Sequence, residues 1–173
     1  MTPLLRLATD ADLDAIQAIY DDEVLHGVAT FDTAVTTRER WVAWLAAHVS
    51  ARHPATVAEV DGAVAGWASL SPWSPRAAYD RTAEVSVYIH RDHRGRGVGR
   101  ILLSDLVERA RVERLGMLIA RVESSGVASL RLHHSVGFVT VGRFEAIGEK
   151  FGRLLDVDLL QLVLTRDLVL SSA

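Results

Sequence analysis

Arg94, Gly95, Arg96, Gly97, Val98, Gly99 and Arg100 form the stretch of this chain whose residue types and spacing point most directly to chemistry. Three glycines alternate with arginines between a run with strand period (Val85, Val87, Ile89) and one with helical period (Val98, Ile101, Leu102, Leu106). A strand that enters such a turn and leaves as a helix aims unpaired backbone N–H groups at the helix's positive end. The glycines admit the backbone angles of an N–H nest and let an anion approach closely, and the arginines add fixed charge. A diphosphate suits such a place. The same spacing also describes an exposed turn with solvated arginines. Gly99-Arg100-Ile101 lacks the Gly-Lys-Ser/Thr ending of a P-loop, and a dinucleotide fingerprint normally lies in the first strand-helix unit, not halfway along.

Other candidates surround that turn. Glu84 opens the strand and by parity shares a face with Ser86 and Tyr88, opposite Val85, Val87 and Ile89. A carboxylate there is either a proton acceptor or an ordinary solvated strand end. Ser71 to Thr82, interrupted by Pro72 and Pro75, delivers Trp73, Arg76, Tyr79 and Arg81 to a loop. His90 and His93 flank the turn and His133 adjoins His134, but neither pair has carboxylate or thiolate companions at ligand spacing, so no metal is expected.

Arg94-Gly95-Arg96-Gly97-Val98-Gly99 resembles the Q/R-x-x-G-x-G/A signature of the GNAT acetyltransferases, which hold the pyrophosphate of acetyl-CoA. The segments VAEVDGAVAGWA, AYDRTAEVSVYI, SLRLHHSVGF and KFGRLLDVDLLQL, with the Pro72-Trp73 pair, are similar in kind and order to the phosphinothricin and L-amino acid N-acetyltransferase branch. The resemblance spans nearly the whole chain. It implies acetyl transfer to the α-amine of a small amino acid or analogue such as phosphinothricin, methionine sulfone or methionine sulfoximine.

The same resemblance assigns roles. Residues 94 to 100 grip the cofactor, the backbone of Val87, Tyr88 and Ile89 meets the pantetheine and thioester, and Glu84 is the base. His133 stands where many relatives place a tyrosine that donates to the departing sulfur. This chain's only tyrosines are Tyr20, Tyr79 and Tyr88. The branch's cofactor-contacting Asn is replaced by Gly126, which leaves Ser125 or Ser129 to take over or the contact to be lost. An acceptor carboxylate needs a cation, and arginine supplies a planar bidentate one. Arg76 is preferred, with Phe31, Trp73 and Tyr79 as walls, although an ordinary core role suits Trp73 and Phe31 equally. Lys150 and Arg153 are lesser candidates for closing the site, from this chain or from a partner in a homodimer.

The elements that must position these residues are legible as α/β. The 173 residues are 49% hydrophobic, which suits one domain over 1–173 with a sizeable core. A net charge of −3 gives no broad basic face for nucleic acid, and the absence of cysteine removes disulfide and thiolate chemistry and fits a cytoplasmic protein. No signal peptide or bilayer-length apolar run is seen. The expected order is β-α-α-β-β-β-α-β-α-β-β, a mixed sheet with helices on both faces, with a tight hairpin at Asp61-Gly62. Gly27, Gly116 and Gly137 are expected to stop helices, and a short strand from Phe138 to Val141 to be followed by a loop from Ile147 to Arg153. The resemblance adds the mostly antiparallel GNAT topology, in which the central strand and its neighbour splay to form a slot. Acetylation of a protein N-terminus, a polyamine or an aminoglycoside is the alternative within enzymes, and Arg76 and Arg81 argue against cationic acceptors. A non-catalytic acyl-CoA sensor is the alternative outside them.

Overall fold

A computed structural model describes residues 3–165; the two ends of the 1–173 span lie outside the described residues. Seven strands form one sheet: β1 (Leu4–Leu7), β2 (Ala55–Val60), β3 (Ala63–Pro72), β4 (Thr82–Ile89), β5 (Met117–Glu123), β6 (Val139–Lys150) and β7 (Arg153–Val163). Their spatial order is β1-β2-β3-β4-β5-β7-β6. Helices α1 (Leu13–His26) and α2 (Arg38–Ala47) cover one face, and α3 (Val98–Val112) and α4 (Val127–Ser135) cover the other. None of the described helices is long and apolar enough to cross a membrane.

Alternation on β4 sets up both faces. Ala83 and Val85 are buried against α3, whose Val98, Leu102, Leu103, Leu106, Val107 and Ala110 recur at helical spacing. Glu84, Ser86 and Tyr88 face the α1 side, where Tyr88 stacks on Trp67 with centroids 4.8 Å apart. The hairpin at Asp61-Gly62 forms as expected, with both residues at positive φ and Val60 paired to Ala63.

Every neighbouring pair of strands is antiparallel except β4 and β5, which run parallel and pair only through Thr82↔Met117, Ala83↔Leu118 and Glu84↔Ile119. Beyond Glu84, β4 continues beside β3 alone, while β5 continues beside β7 alone. The two central strands therefore part, and the backbone edges of the separated segments line a slot.

Two expectations are corrected. Residues 147–150 belong to β6, which runs unbroken from Val139 to Lys150, and only Phe151 and Gly152 turn the chain into β7. Register shifts between Thr140 and Gly142 and between Phe144 and Gly148 disturb the period of two, so this long strand reads as a short strand followed by a glycine-bearing loop. Helix α3 is stopped by Arg114 rather than Gly116. Arg114 takes φ 56°, and the Leu115 amide reaches back to the Ala110 carbonyl at 2.9 Å, a Schellman closure with buried Leu115 as its apolar contact.

Candidate active site

The slot opens into a cavity of about 1090 Å³ that runs from the glycine turn, between β4 and α4, to the loop after α1. At its entrance Gly95 (φ 72°) and Gly97 (φ 84°) adopt left-handed conformations that a side chain would strain. Gly97 caps α3, so the free amides of the helix's first turn face the opening. Gly99 serves packing: a Cβ there would lie 3.0 Å from a Leu132 methyl on α4. Arg100 lines the cavity, and Arg96 is exposed outside the lining. Arg94 turns inward, its Nε donating to the Ile89 carbonyl at 3.1 Å and its Nη2 to the Glu23 carboxylate.

Hydrogen-bond parity on β4 defines what the slot offers. The His90 amide donates to Ala65, and the Trp73 amide donates to Thr82, so the even-numbered residues are the ones bonded to β3. Arg81, bonded through its carbonyl to Gly116 at 2.8 Å, marks the odd set as facing β5. The carbonyl of Val85 and the peptide groups of Val87 and Ile89 thus point into the slot, the Val85 amide being used in the last pairing with β5 and the Ile89 carbonyl taken by Arg94. Tyr88 contributes its side chain, while its peptide groups belong to the β3 ladder.

On the α4 wall, His133 is buried and its Nδ1 lies 2.8 Å from the Ser129 carbonyl. A carbonyl only accepts, so Nδ1 carries the proton and Nε2 is the lone-pair nitrogen of the neutral ring. Burial holds His133 below the ordinary histidine value, aided by His134 and opposed by the Ser129 bond. Donation to sulfur would require a second proton that this environment opposes. The Ser125 hydroxyl is committed to Glu123 at 2.5 Å, which leaves Ser129 as the hydroxyl beside Gly126 in the lining. A Cβ on Gly126 would lie 3.0 Å from the Glu123 carbonyl, so a larger residue would crowd that turn.

The far end is built by Tyr20, Thr30, Phe31, Asp32, Glu84 and Tyr88. Tyr20 donates its one hydroxyl hydrogen to Asp32 Oδ2 at 2.8 Å, so the 2.6 Å contact with Thr30 has Thr30 as donor. These hydroxyls form a chain directed at Asp32, and Tyr88 abuts Tyr20 and Thr30. Burial, with Asp32 nearby, pushes Tyr20 up to about 12, and burial likewise holds Tyr88 far above the ordinary phenol range. Both stay protonated at neutral pH.

Glu84 is held by Arg121, whose Nε and Nη2 donate to Oε1 and Oε2 at 2.5 and 3.0 Å. Arg121 lies over the Trp73 ring at 5.9 Å. Sequence reasoning missed Arg121, as it missed Tyr20, Glu23, Thr30, Asp32 and Glu123. The available signal for two of these was parity, since Arg121 and Glu123 are charged positions in an otherwise apolar strand.

Glu84, His133, Ser129, Phe31 and the glycine turn are thus brought to one cavity, whereas Trp73, Arg76 and Tyr79 do not line it. Trp73 stands behind Arg121, and Arg76 and Tyr79 are exposed on the loop between β3 and β4. Lys150 is not a closing cation either. It is buried and donates to the carbonyls of Glu23 and Thr30, while Arg153 is exposed outside the lining.

A parted pair of parallel strands with a glycine-rich anion turn at its open end has direct counterparts among known proteins. Residues 13–138 match the family model described as Acetyltransferase (GNAT) family. The chain is 40% identical over 160 residues to the L-amino acid N-acyltransferase MnaT of Escherichia coli, covering 92% of this chain and 93% of the relative. It is 39% identical over 160 residues to the L-methionine sulfoximine/L-methionine sulfone acetyltransferase of Salmonella typhimurium, covering 92% and 94%. The structure of a GNAT superfamily phosphinothricin acetyltransferase from Sinorhizobium meliloti in complex with acetyl-CoA superposes with a TM-score of 0.91 at 35% identity, covering 94% of this chain and 89% of that one. The chain belongs to the GNAT acetyltransferase family.

Proposed function

We propose that this protein uses acetyl-CoA to acetylate the α-amino group of a small amino acid or analogue of the phosphinothricin, methionine sulfone or methionine sulfoximine type. The observation that carries this reading is the continuous path from the amide nest at Gly95 and Gly97, along the free edge of β4, to the carboxylate of Glu84. The relatives' acceptors named above are the same class of molecule.

The chain's groups divide the work. The first-turn amides of α3, with Arg100, hold the pyrophosphate, and the Val85 carbonyl and the peptide groups of Val87 align the pantetheine arm. Acetyl-CoA supplies the activated acyl group. An α-amine titrates at about 8 in water, so only part of it needs deprotonation at neutral pH. Glu84 takes that proton, the nitrogen lone pair forms the new bond to the acyl carbon, the carbon-sulfur bond breaks, and the second nitrogen proton goes to the departing CoA thiolate, which leaves as the free thiol. Phe31 bounds the space for the acceptor's side chain.

The reading extends to assembly and location. The outer strand β6, its turn and the start of β7 expose Val139, Val141, Phe144, Ile147, Phe151 and Leu154, an apolar edge suited to a second copy of the chain. We propose a homodimer through this edge, in the cytoplasm, and light scattering on the wild type and on Phe144→Glu tests the assembly: a dimer and a monomer are expected.

The functional test is release of the free thiol with acetyl-CoA and a panel of α-amino acids. Turnover with methionine sulfone or its analogues, reduced about 100-fold or more in Glu84→Gln, supports the assignment. No turnover with any acceptor of this class would remove it.

A further inference from the structure

The Glu84–Arg121 pair contains more recognition chemistry than a base and its counterion. Arg121 spends only one edge of its guanidinium on Glu84, the edge carrying Nε and one hydrogen of Nη2. The other edge, with Nη1 and the second hydrogen of Nη2, donates to no acceptor among the described residues. Arg121 is half-exposed and both side chains line the cavity. Trp73 lies beside the guanidinium, with its ring centroid 5.9 Å from Arg121 Cζ.

The strands fix where the pair stands. Glu84 makes the last pairing of β4 with β5, at Ile119, and Arg121 lies two residues farther along β5 on the same face. The pair therefore spans the point at which the strands part, at the acceptor end of the slot. A fixed cation and a fixed anion, side by side and each with an unused hydrogen-bonding edge or lone pair, are the complement of a molecule that carries an ammonium and a carboxylate on one carbon.

We propose that Glu84 and Arg121 together form the receptor for the α-amino acid zwitterion, Arg121 binding the acceptor's carboxylate through its free edge while Glu84 holds the ammonium next to the acyl group. This rests on the acetyltransferase reading above and assigns the carboxylate-binding role to Arg121 in place of Arg76. The pair rejects a polyamine, which offers no carboxylate and leaves Arg121 facing a second cation. It also rejects an α-amino amide, which leaves the guanidinium edge without a charged partner.

The test compares L-methionine sulfone with its carboxamide and with the corresponding decarboxylated amine, in wild type, Arg121→Gln and Arg121→Lys. Wild type is expected to prefer the acid in kcat/KM by about 10- to 100-fold, the factor expected of one charge-assisted hydrogen-bonded contact. Arg121→Gln is expected to abolish that preference, mainly through KM for the acid, and Arg121→Lys to retain part of it. The acid-to-amide ratio is the readout because any general disturbance of Glu84 cancels in it, and retained CoA binding in a thermal-shift assay confirms that the variants fold. An undiminished preference in Arg121→Gln would overturn the inference while leaving the acetyltransferase reading intact. Wild-type protein that binds CoA but acetylates none of the three acceptors would overturn both.

Discussion

Lys150, at the end of β6, donates its ammonium to the Thr30 carbonyl at 2.9 Å, joining residues 120 apart in the chain. A second hydrogen bond, 3.0 Å to the Glu23 carbonyl, ties the same ammonium to the last turn of α1. Cations are favoured at helix C-termini, and this one also holds the loop that carries Thr30, Phe31 and Asp32 to the cavity. Glu23 in turn receives Arg94 from the glycine turn, so one clamp connects the acceptor wall with the cofactor entrance.

Lys150→Met keeps the stem and removes both donors. It should cost about 1–3 kcal/mol of stability, because two carbonyls lose a buried partner. Urea denaturation measures the loss, and KM for the acceptor should rise more than KM for acetyl-CoA.

Gly148 tests the same wall by shape. A Cβ there would sit 2.3 Å from Phe31 Cε2, so Gly148→Ala must displace the Phe31 ring or shift β6. Acceptor KM should rise about tenfold with CoA affinity unchanged, as read by steady-state kinetics beside calorimetry.

The entrance depends on backbone conformation. Gly97 caps α3 with φ 84°, and a methyl group added there would meet nothing within 4 Å, so the penalty for Gly97→Ala is conformational and not steric. That variant should weaken CoA binding by about tenfold through a displaced amide nest, while thermal stability changes by only about 1–2 kcal/mol.

His133 supplies a pH dependence whose sign is set by its burial. Its folded-state value lies below the ordinary one, so the unfolded chain takes up the proton first as pH falls. The stability attached to neutral His133 is therefore complete above about 6.5 and is lost as pH falls from there through the folded value. Denaturation midpoints between pH 7 and 5 should decline in the wild type and decline less in His133→Asn.

How much of the molecule is legible in its sequence depends on how local the determinants are. The path from Glu84 through Gly99 can be read because strand alternation, glycine spacing and helical period are all encoded within about twenty neighbouring residues. Arg121 escapes because it reaches Glu84 only through the parallel register of β4 and β5, 37 residues apart. Tyr20, Thr30 and Asp32 escape because their hydroxyl chain depends on the path of the loop after α1. Lys150 looks like a loop cation because two bulges hide the continuity of β6. Arg76 and Tyr79 are near Glu84 in sequence, but the 3-10 turn at Ala77–Tyr79 carries them onto the surface.

The most direct measurement is mass spectrometry of the acceptor after incubation of the protein with acetyl-CoA and L-methionine sulfone, beside the Glu84→Gln variant. The expected result is one acetyl group on the α-nitrogen, formed by the wild type and nearly absent with the variant. Unmodified methionine sulfone in the presence of wild-type protein that binds CoA, or equal acetylation by Glu84→Gln, would contradict it.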